Sequence, residues 1–370
     1  MEPDAMNNAQ GSIAVVLGTR PEIIKLGHVI RLLGPAATVV HTGQHYESNL
    51  SASFLETFGI GEPEIHLGVG GRTRGSQIGS AVSALDGYLA ETTPRAIVVQ
   101  GDTNATLAGA IAANAREIPI VHVEAGLRSH DRRMPEEHNR VLTDHLGDLL
   151  CAPTTIAEEN LVAEGIGSER IRVTGNTVVE AVHQLLPDPE QRAEITSAYE
   201  VTPGEFVLST FHRPENVDDP ERFAMVLKHL AAMPHPVLLP LHPRSRERAA
   251  RFGLDQWFGE VRVIDPIGYR DFLALSAESA FLVSDSGGIQ EEASIYKRPV
   301  VVVRRSTERP EVLGTFARLV EPDGISDVVE SWLADIAAVH AELSEVPSPY
   351  GDGTASRRIV DEIGALVGGV

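Results

Sequence analysis

The sequence predicts an α/β protein with two doubly wound, Rossmann-like parallel-sheet domains. Short apolar runs alternate with stretches whose apolar residues recur at helical spacing, and this alternation occurs once in each half of the chain. Polar and charged residues directly follow most of the apolar runs. Strands that alternate with helices indicate parallel sheets covered on both faces. A length of 370 residues also suits two domains better than one.

The first half contains six apolar runs that predict strands. They lie at residues 12–17, 37–41, 96–100, 118–123, 149–152 and 171–174. Helices are predicted from Pro21 onward and at residues 48–58, 76–90, 105–115 and 136–149. Pro21 suits a helix start, because proline lacks the N–H that the first turn would leave without a partner.

The second half repeats the rhythm. Strands are predicted at residues 206–210, 236–241, 261–264, 281–283 and 300–303. The acidic, proline-bearing stretch 186–191 is typical of a linker. We therefore predict an N-terminal domain at residues 11–180 and a C-terminal domain at 181–354, with a helix in 355–370 that returns to the first domain.

Composition excludes several classes of function. The net charge of −21 disfavours nucleic acid or an anionic membrane as the main partner. No apolar stretch approaches the length of a membrane-spanning helix, and residues 1–10 lack the apolar core of a signal peptide. A single cysteine, Cys151 in an apolar run, excludes an internal disulfide and favours a reducing compartment, so we expect a cytoplasmic protein.

The stretch 283–292 predicts a binding site for a nucleotide diphosphate. It places Ser286, Gly287 and Gly288 between an apolar strand and a helix, where free N–H groups at the positive helix end attract phosphate. Glu292, about one helical turn further on, would accept hydrogen bonds from a ribose. A structural turn with a capping serine explains this stretch equally well, because short glycine motifs are common.

Titratable residues converge on the predicted strand ends. They include Asp102 and Glu124 in the first half and His212 with Arg213 in the second. Carboxylates and a histidine suit acid–base chemistry, and arginine suits phosphate, so the pattern favours a catalytic cleft. Each residue alone also fits a structural role, and Glu136 fits an ordinary helix start.

Several familiar motifs are missing from the sequence. The first strand is followed by Gly18-Thr19-Arg20-Pro21 in place of G-x-G-x-x-G, which argues against a bound dinucleotide. There is no Walker A motif, and the histidines lack metal-ligand spacing. We therefore expect neither a cofactor nor a metal.

A set of motifs in fixed order resembles the non-hydrolysing UDP-N-acetylglucosamine 2-epimerase family. The motifs are Gly18-Thr19-Arg20-Pro21-Glu22, Thr42-Gly43-Gln44-His45, Gly101-Asp102-Thr103, His122-Val123-Glu124-Ala125-Gly126-Leu127-Arg128, Pro135-Glu136-Glu137 with Asn139-Arg140, Thr174-Gly175-Asn176-Thr177, His212-Arg213, the segment 284–292 and Thr307-Glu308-Arg309-Pro310-Glu311. The resemblance implies a GT-B-like fold whose two domains face a cleft, a homodimer, and no cofactor. It implies interconversion of UDP-N-acetylglucosamine and UDP-N-acetylmannosamine through elimination of UDP to a 2-acetamidoglucal and its re-addition.

The resemblance also implies residue roles. The catalytic residues would be Asp102, Glu124, Glu136 and His212. The substrate-binding residues would be Arg20, Lys25, Arg213, Ser286, Gly287, Gly288, Glu292 and Arg309. The chain departs from the family at Glu47, where regulated members carry a glutamine of an allosteric site, at His138, and in the short stretch 312–315.

Other activities remain compatible with the same motifs. A hydrolysing relative would release N-acetylmannosamine and UDP, and another relative would act on a modified UDP-sugar. A GT-B glycosyltransferase would share the diphosphate site but would not need the three carboxylates. A catalytically inactive UDP-sugar-binding regulator is disfavoured by the intact carboxylates and histidine.

Overall fold

The computed structural model describes residues 13–44, 58–61, 63 and 65–368. The predicted helix at 48–58 falls mainly outside the described residues, and so do His45 and Glu47. The chain forms two compact units. The first runs to Ala181 and resumes at Tyr350, and the second is Val182–Pro349.

The first unit is built on a seven-stranded parallel sheet with the order β3-β2-β1-β4-β5-β6-β7. Its strands are β1 (Ile13–Leu17), β2 (Ala37–His41), β3 (Ile65–His66), β4 (Ala96–Gln100), β5 (Ile120–Val123), β6 (Leu149–Ala152) and β7 (Ile171–Val173). The central strands β1, β4 and β5 are buried along their whole length, because helices cover both faces. The register pairs Gln100 with Val123, so the turns after β4 and β5 begin at the same edge.

Within the part of the chain that the structure describes, six helices follow these strands. They are α1 (Arg20–Leu33), α2 (Arg74–Thr92), α3 (Asn104–Asn114), α4 (Pro135–Leu146), α5 (Thr155–Ala163) and α6 (Val178–Leu185). Thr103 and Thr154 cap α3 and α5 by accepting N–H groups of the first turn.

The second unit has a six-stranded parallel sheet with the order β10-β9-β8-β11-β12-β13. Its strands are β8 (Val207–Thr210), β9 (Val237–Pro240), β10 (Arg262–Ile264), β11 (Phe281–Ser284), β12 (Val300–Val303) and β13 (Ala317–Val320). Its helices are α7 (Pro189–Ala198), α8 (Pro214–Val217), α9 (Pro220–Ala231), α10 (Pro243–Arg251), α11 (Tyr269–Glu278), α12 (Gly287–Tyr296), α13 (Ile325–Leu333) and α14 (Ile336–Glu345). A core that includes Phe223, Phe281 and Trp332 fills this unit.

The helix α15 (Ala355–Val367) belongs to the first unit, although the second unit precedes it in the chain. It packs against α1. The Ser356 hydroxyl donates to Glu180 at 2.7 Å, and Arg172 pairs with Glu362 at 3.0 Å.

The predicted fold class is confirmed, with differences in detail. The predictions missed β3, which has two residues, and β13, an edge strand whose half-exposed residues include Arg318. The helix predicted at 136–149 begins at Pro135 and ends at Leu146, so Leu149 lies only in β6. Within the described residues, no helix combines the length and apolar character needed to cross a membrane.

Candidate active site

Glu22 stabilises the turn that follows β1. Its carboxylate, 1% exposed, accepts the Gly18 N–H and the hydroxyls of Thr19 and Thr103, all at 2.9 Å. Burial raises its pKa to about 7 despite these donors, which lower it. The bond from Thr103 joins the turns after β1 and β4. It thereby fixes the start of α1, where Arg20 is exposed.

Glu124, in the turn after β5, forms a buried ion pair with Lys25 of α1. The same carboxylate oxygen lies 3.1 Å from the Gln100 side-chain nitrogen and 3.4 Å from that of Asn176. The backbone of Glu124 has a φ of 67°, in the left-handed region that a non-glycine residue rarely adopts. Such a strained position, held by several donors, is typical of functional sites.

Asp102, in the turn after β4, pairs with the guanidinium of Arg140 on α4. Arg140 Nε lies 3.2 Å from Asp102 Oδ2, and the Asn139 amide donates to the Asp102 carbonyl at 2.8 Å. The Arg140 side chain is 3% exposed, whereas that of Asp102 is 28% exposed. A buried cation therefore holds Asp102 while part of its carboxylate stays accessible.

The neighbouring residues Glu136 and Glu137 have different environments. Glu137 is buried, accepts the N–H groups of Ser129 and His130 at 3.0 and 2.7 Å, and pairs with Arg140. Glu136 is half-buried, and among the described residues it has no hydrogen-bond or ion-pair partner. Glu137 therefore holds the loop before α4, and Glu136 keeps its carboxylate available.

In the second unit, His212 follows β8 and pairs with Asp285, which follows β11. His212 Nδ1 lies 3.0 Å from Asp285 Oδ1; the histidine side chain is 58% exposed and the aspartate 0%. Asp285 also accepts the Arg213 N–H at 2.9 Å and the Asn216 amide at 3.2 Å. Burial raises the pKa of Asp285, but these partners outweigh it and hold the pKa below its usual value. The buried carboxylate thus orients an exposed imidazole.

Three arginines and two glutamates cluster beside this pair. Arg304 and Glu308 lie 2.7 Å apart, as do Arg309 and Glu291, and Arg309 also contacts Glu308. Arg213 lies 4.0 Å from Glu308. This group therefore contains one more positively charged guanidinium than negatively charged carboxylates. Burial lowers the pKa of Arg304 from its usual value, but this leaves the guanidinium charged.

The helix α12 begins at this cluster. Ser286 is its N-cap residue, and Gly287 and Gly288 are its first two residues. A Cβ on Gly287 would lie 2.8 Å from Arg309 and from Glu308, whereas a Cβ on Gly288 would meet nothing within 4 Å. The Gly288 backbone therefore faces open space at the positive end of the helix, which suits a phosphate.

Glu292, further along α12, accepts the Tyr269 hydroxyl at 2.6 Å and is 7% exposed. Its predicted contact with a ribose stays a prediction. Among the described residues, no group of three or more histidine, cysteine, aspartate or glutamate side chains is arranged to hold a metal ion.

A match to a family model shows which protein family the chain belongs to. The model for UDP-N-acetylglucosamine 2-epimerase matches residues 35–364. The chain belongs to this family. The 2-epimerase of Methanocaldococcus jannaschii is 38% identical over 360 residues, which cover 94% of this chain and 97% of that protein. The UDP-2,3-diacetamido-2,3-dideoxy-D-glucuronate 2-epimerase of Pseudomonas aeruginosa is 36% identical over 361 residues, covering 96% and 99%.

Solved structures of the 2-epimerase family share this fold. The crystal structure of the M. jannaschii UDP-N-acetylglucosamine 2-epimerase in complex with UDP-N-acetylglucosamine and UDP matches with a TM-score of 0.84 and 38% identity. The match covers 95% of this chain and 99% of that chain.

Sequence reasoning missed several residues of this candidate site. In the sequence, Asp285 has no role beyond its place in the stretch 283–292, and Arg140 is only part of a motif. Gln100 and Asn176 were given no role towards Glu124. One available signal is the charge of Asp285 itself, because a carboxylate directly after a buried apolar strand needs a partner.

Proposed function

We propose that this protein interconverts UDP-N-acetylglucosamine and UDP-N-acetylmannosamine. The observation that carries the proposal is a set of three carboxylates: Asp102 and Glu124 lie in the turns after β4 and β5, and Glu136 lies in the first turn of α4. They occur in a chain that belongs to the 2-epimerase family. A 2-epimerase needs groups that remove a proton from one face of a carbon and return one to the other.

The reaction would proceed by elimination and re-addition. A carboxylate takes the proton from C2 while the C1–O bond breaks and UDP leaves with the electron pair, which gives 2-acetamidoglucal. UDP then re-forms the bond to C1 as C2 accepts a proton on the opposite face. Substrate and product are isomers and no net electrons move, so the proposal includes no redox cofactor.

The ion pairs suggest how the carboxylates divide this work. Asp102 and Glu124 each form an ion pair with a buried cation, which holds the carboxylate in place. Glu136 has no such partner among the described residues. We infer that Glu136 exchanges a proton with one face of C2 and that Asp102, whose carboxylate stays partly accessible, serves the opposite face, while Glu124 orients the sugar. Lys25 would hold Glu124 in place.

The second unit would bind the nucleotide diphosphate. The backbone at Ser286, Gly287 and Gly288 supplies the positive end of α12, and Arg213 and Arg309 belong to the adjoining arginine cluster. His212, oriented by Asp285, would stabilise the departing phosphate oxygen by hydrogen bonding or proton donation. Arg20, exposed at the start of α1, is proposed to bind the diphosphate, and Glu292 the ribose.

Proton NMR of UDP-N-acetylglucosamine with the purified protein in D2O, with no cofactor added, tests the activity. We expect deuterium at C2 and both UDP-sugar epimers. Accumulation of free N-acetylmannosamine with UDP would instead identify a hydrolysing enzyme. UDP binding with no exchange would refute 2-epimerisation of this substrate.

A modified UDP-sugar is the second candidate substrate. Its support is the P. aeruginosa relative, which is named for a diacetamido-glucuronate and matches almost the full chain. The same NMR assay with that UDP-sugar decides between the two, because the preferred substrate exchanges its C2 proton faster. A GT-B glycosyltransferase would transfer the sugar only when an acceptor is added.

A homodimer and a cytoplasmic location complete the proposal. The cytoplasmic location is supported by the single cysteine, Cys151, which is buried and whose pKa burial raises to about 12. The thiol therefore stays protonated and unreactive. Light scattering of the purified protein tests the dimer.

A further inference from the structure

His122 is a histidine of β5 that the proposed chemistry does not use. Its side chain is 0% exposed, and both ring nitrogens have a partner. Nε2 lies 2.8 Å from the Gly101 carbonyl oxygen, and Nδ1 lies 2.7 Å from Asp144 Oδ1. Gly101 directly precedes Asp102, so His122 contacts the peptide that carries a proposed catalytic carboxylate.

Both nitrogens of this ring must donate. A carbonyl oxygen only accepts hydrogen bonds, so Nε2 carries a hydrogen towards Gly101. Burial raises the pKa of Asp144, but His122 and Arg128 outweigh it and keep that carboxyl ionised, so Nδ1 also donates. His122 therefore bridges the Gly101 carbonyl and the Asp144 carboxylate through its two ring nitrogens.

Asp144 extends the contact to the turn that contains Glu124. Its Oδ2 accepts the Gly126 N–H at 3.2 Å and pairs with Arg128 at 2.7 Å. Arg128 in turn pairs with Glu164 at 2.6 Å. Both oxygens of the buried Asp144 carboxylate therefore have a partner, so its charge is not left unpaired.

The Gly101 carbonyl needs such an anchor. Gly101 has a φ of 70°, and glycine moves more freely between backbone conformations than any other residue. Its N–H donates to the Val123 carbonyl at 3.0 Å. Without His122, the peptide that links Gly101 to Asp102 would lose the bond that fixes its orientation.

We propose that His122 is a positioning residue, which with Asp144 fixes the turn of Asp102 relative to the turn of Glu124. The inference rests on the proposed 2-epimerase activity for its effect on turnover, and on the structure alone for its hydrogen bonds. A shift of about 1 Å in a reacting group can cost about 100-fold in rate.

Three variants separate positioning from a general structural role. His122→Gln places an amide N–H near the position of Nε2 and so keeps the bond to Gly101. His122→Asn places one near Nδ1 and keeps only the bond to Asp144. His122→Ala keeps neither. We expect kcat for C2 exchange to fall about 100-fold in the Asn and Ala variants, and about 10-fold or less in the Gln variant. UDP affinity should change less than about 3-fold in all three.

Rescue by glutamine but not by asparagine supports the proposal. Equal loss in all three variants, or no loss in any, overturns it. A second readout needs no activity: 15N NMR of the histidine-labelled full chain should show two slowly exchanging ring N–H signals that vanish together in His122→Gln. A single ring N–H would overturn the hydrogen-bond assignment. Absence of C2 exchange in the wild-type protein would refute the proposed activity. The 15N spectrum does not depend on activity, so it would still test the hydrogen bonds of His122.

Discussion

Replacing Asp285 with asparagine removes the charge that orients His212 while keeping the shape of the side chain. The wild-type carboxylate accepts from His212 Nδ1 at 3.0 Å, from the Arg213 N–H at 2.9 Å and from the Asn216 amide at 3.2 Å. An asparagine can accept only at its single oxygen, so its NH2 group must face at least one of these donors.

The expected loss of stability follows from these contacts. A hydrogen bond to a charged acceptor contributes about 1.5–3 kcal/mol, so one lost acceptor at this buried site costs about 2 kcal/mol. The His212 ion pair adds little, because that side chain is 58% exposed and water screens it. For a unit of this size the Tm should fall by about 4–8 °C.

The loss of stability caused by Asp285→Asn should also depend on pH. The pKa of Asp285 lies below its usual value of 3.8 in the folded protein, so its contribution to stability is present above that pH and disappears as the pH falls. The Tm difference between the wild-type protein and Asp285→Asn should therefore be widest near neutral pH and shrink below about pH 4.

Turnover should fall about 100-fold, the scale of a misplaced acid–base group, with little change in UDP affinity. The assay is C2 exchange in D2O, with exposed Asp265→Asn as the matched control. In a His212→Asn background the same change should cost almost nothing in kcat, because the group that Asp285 orients is already absent. An equal loss in both backgrounds, or near-wild-type turnover, would refute the reasoning.

Three further predictions concern single residues. Glu136→Gln should lose most C2 exchange at unchanged Tm, whereas Glu137→Gln should lower the Tm; the reverse result would contradict the assignment. Gly288→Ala should leave the Tm unchanged, because a Cβ there meets nothing within 4 Å. It should weaken UDP binding, measured by calorimetry, by about 10-fold or more. Unchanged UDP affinity would show that the phosphate does not bind at Gly288. Glu22 has its pKa raised from 4.5 to about 7, so its ionisation destabilises the folded state as the pH rises through that range. The Tm of Glu22→Gln relative to the wild-type protein should therefore rise between about pH 5 and about pH 8, and a flat difference would count against a buried, protonatable Glu22.

The fold was largely predictable because buried parallel strands give continuous apolar runs. The strand 96–100 was predicted with its observed bounds, since both faces of β4 are covered and every residue is buried. The edge strand β13 was missed for the opposite reason: Arg318 and half-exposed neighbours interrupt the apolar pattern. A two-residue strand such as β3 is too short to give any periodic pattern.

The candidate site was predictable in its location but not in its pairings. Strand ends mark where ligands bind in open parallel sheets, so Asp102, Glu124 and His212 could be nominated from the sequence. The partner of His212 lies 73 residues away, in a turn whose residue types also suit capping. Glu136 and Glu137 are chemically equivalent in sequence, and only the folded loop separates them.

The return of α15 to the first unit has a consequence for how the protein folds during synthesis. The second unit is continuous in sequence and can fold once residues 182–349 have left the ribosome. The first unit cannot be completed until α15 follows it, because α15 packs on α1. The surface of α1 that contacts α15 therefore stays uncovered while the whole second unit is translated. A nascent chain released before residue 355 should be a substrate for chaperones that recognise exposed apolar helices.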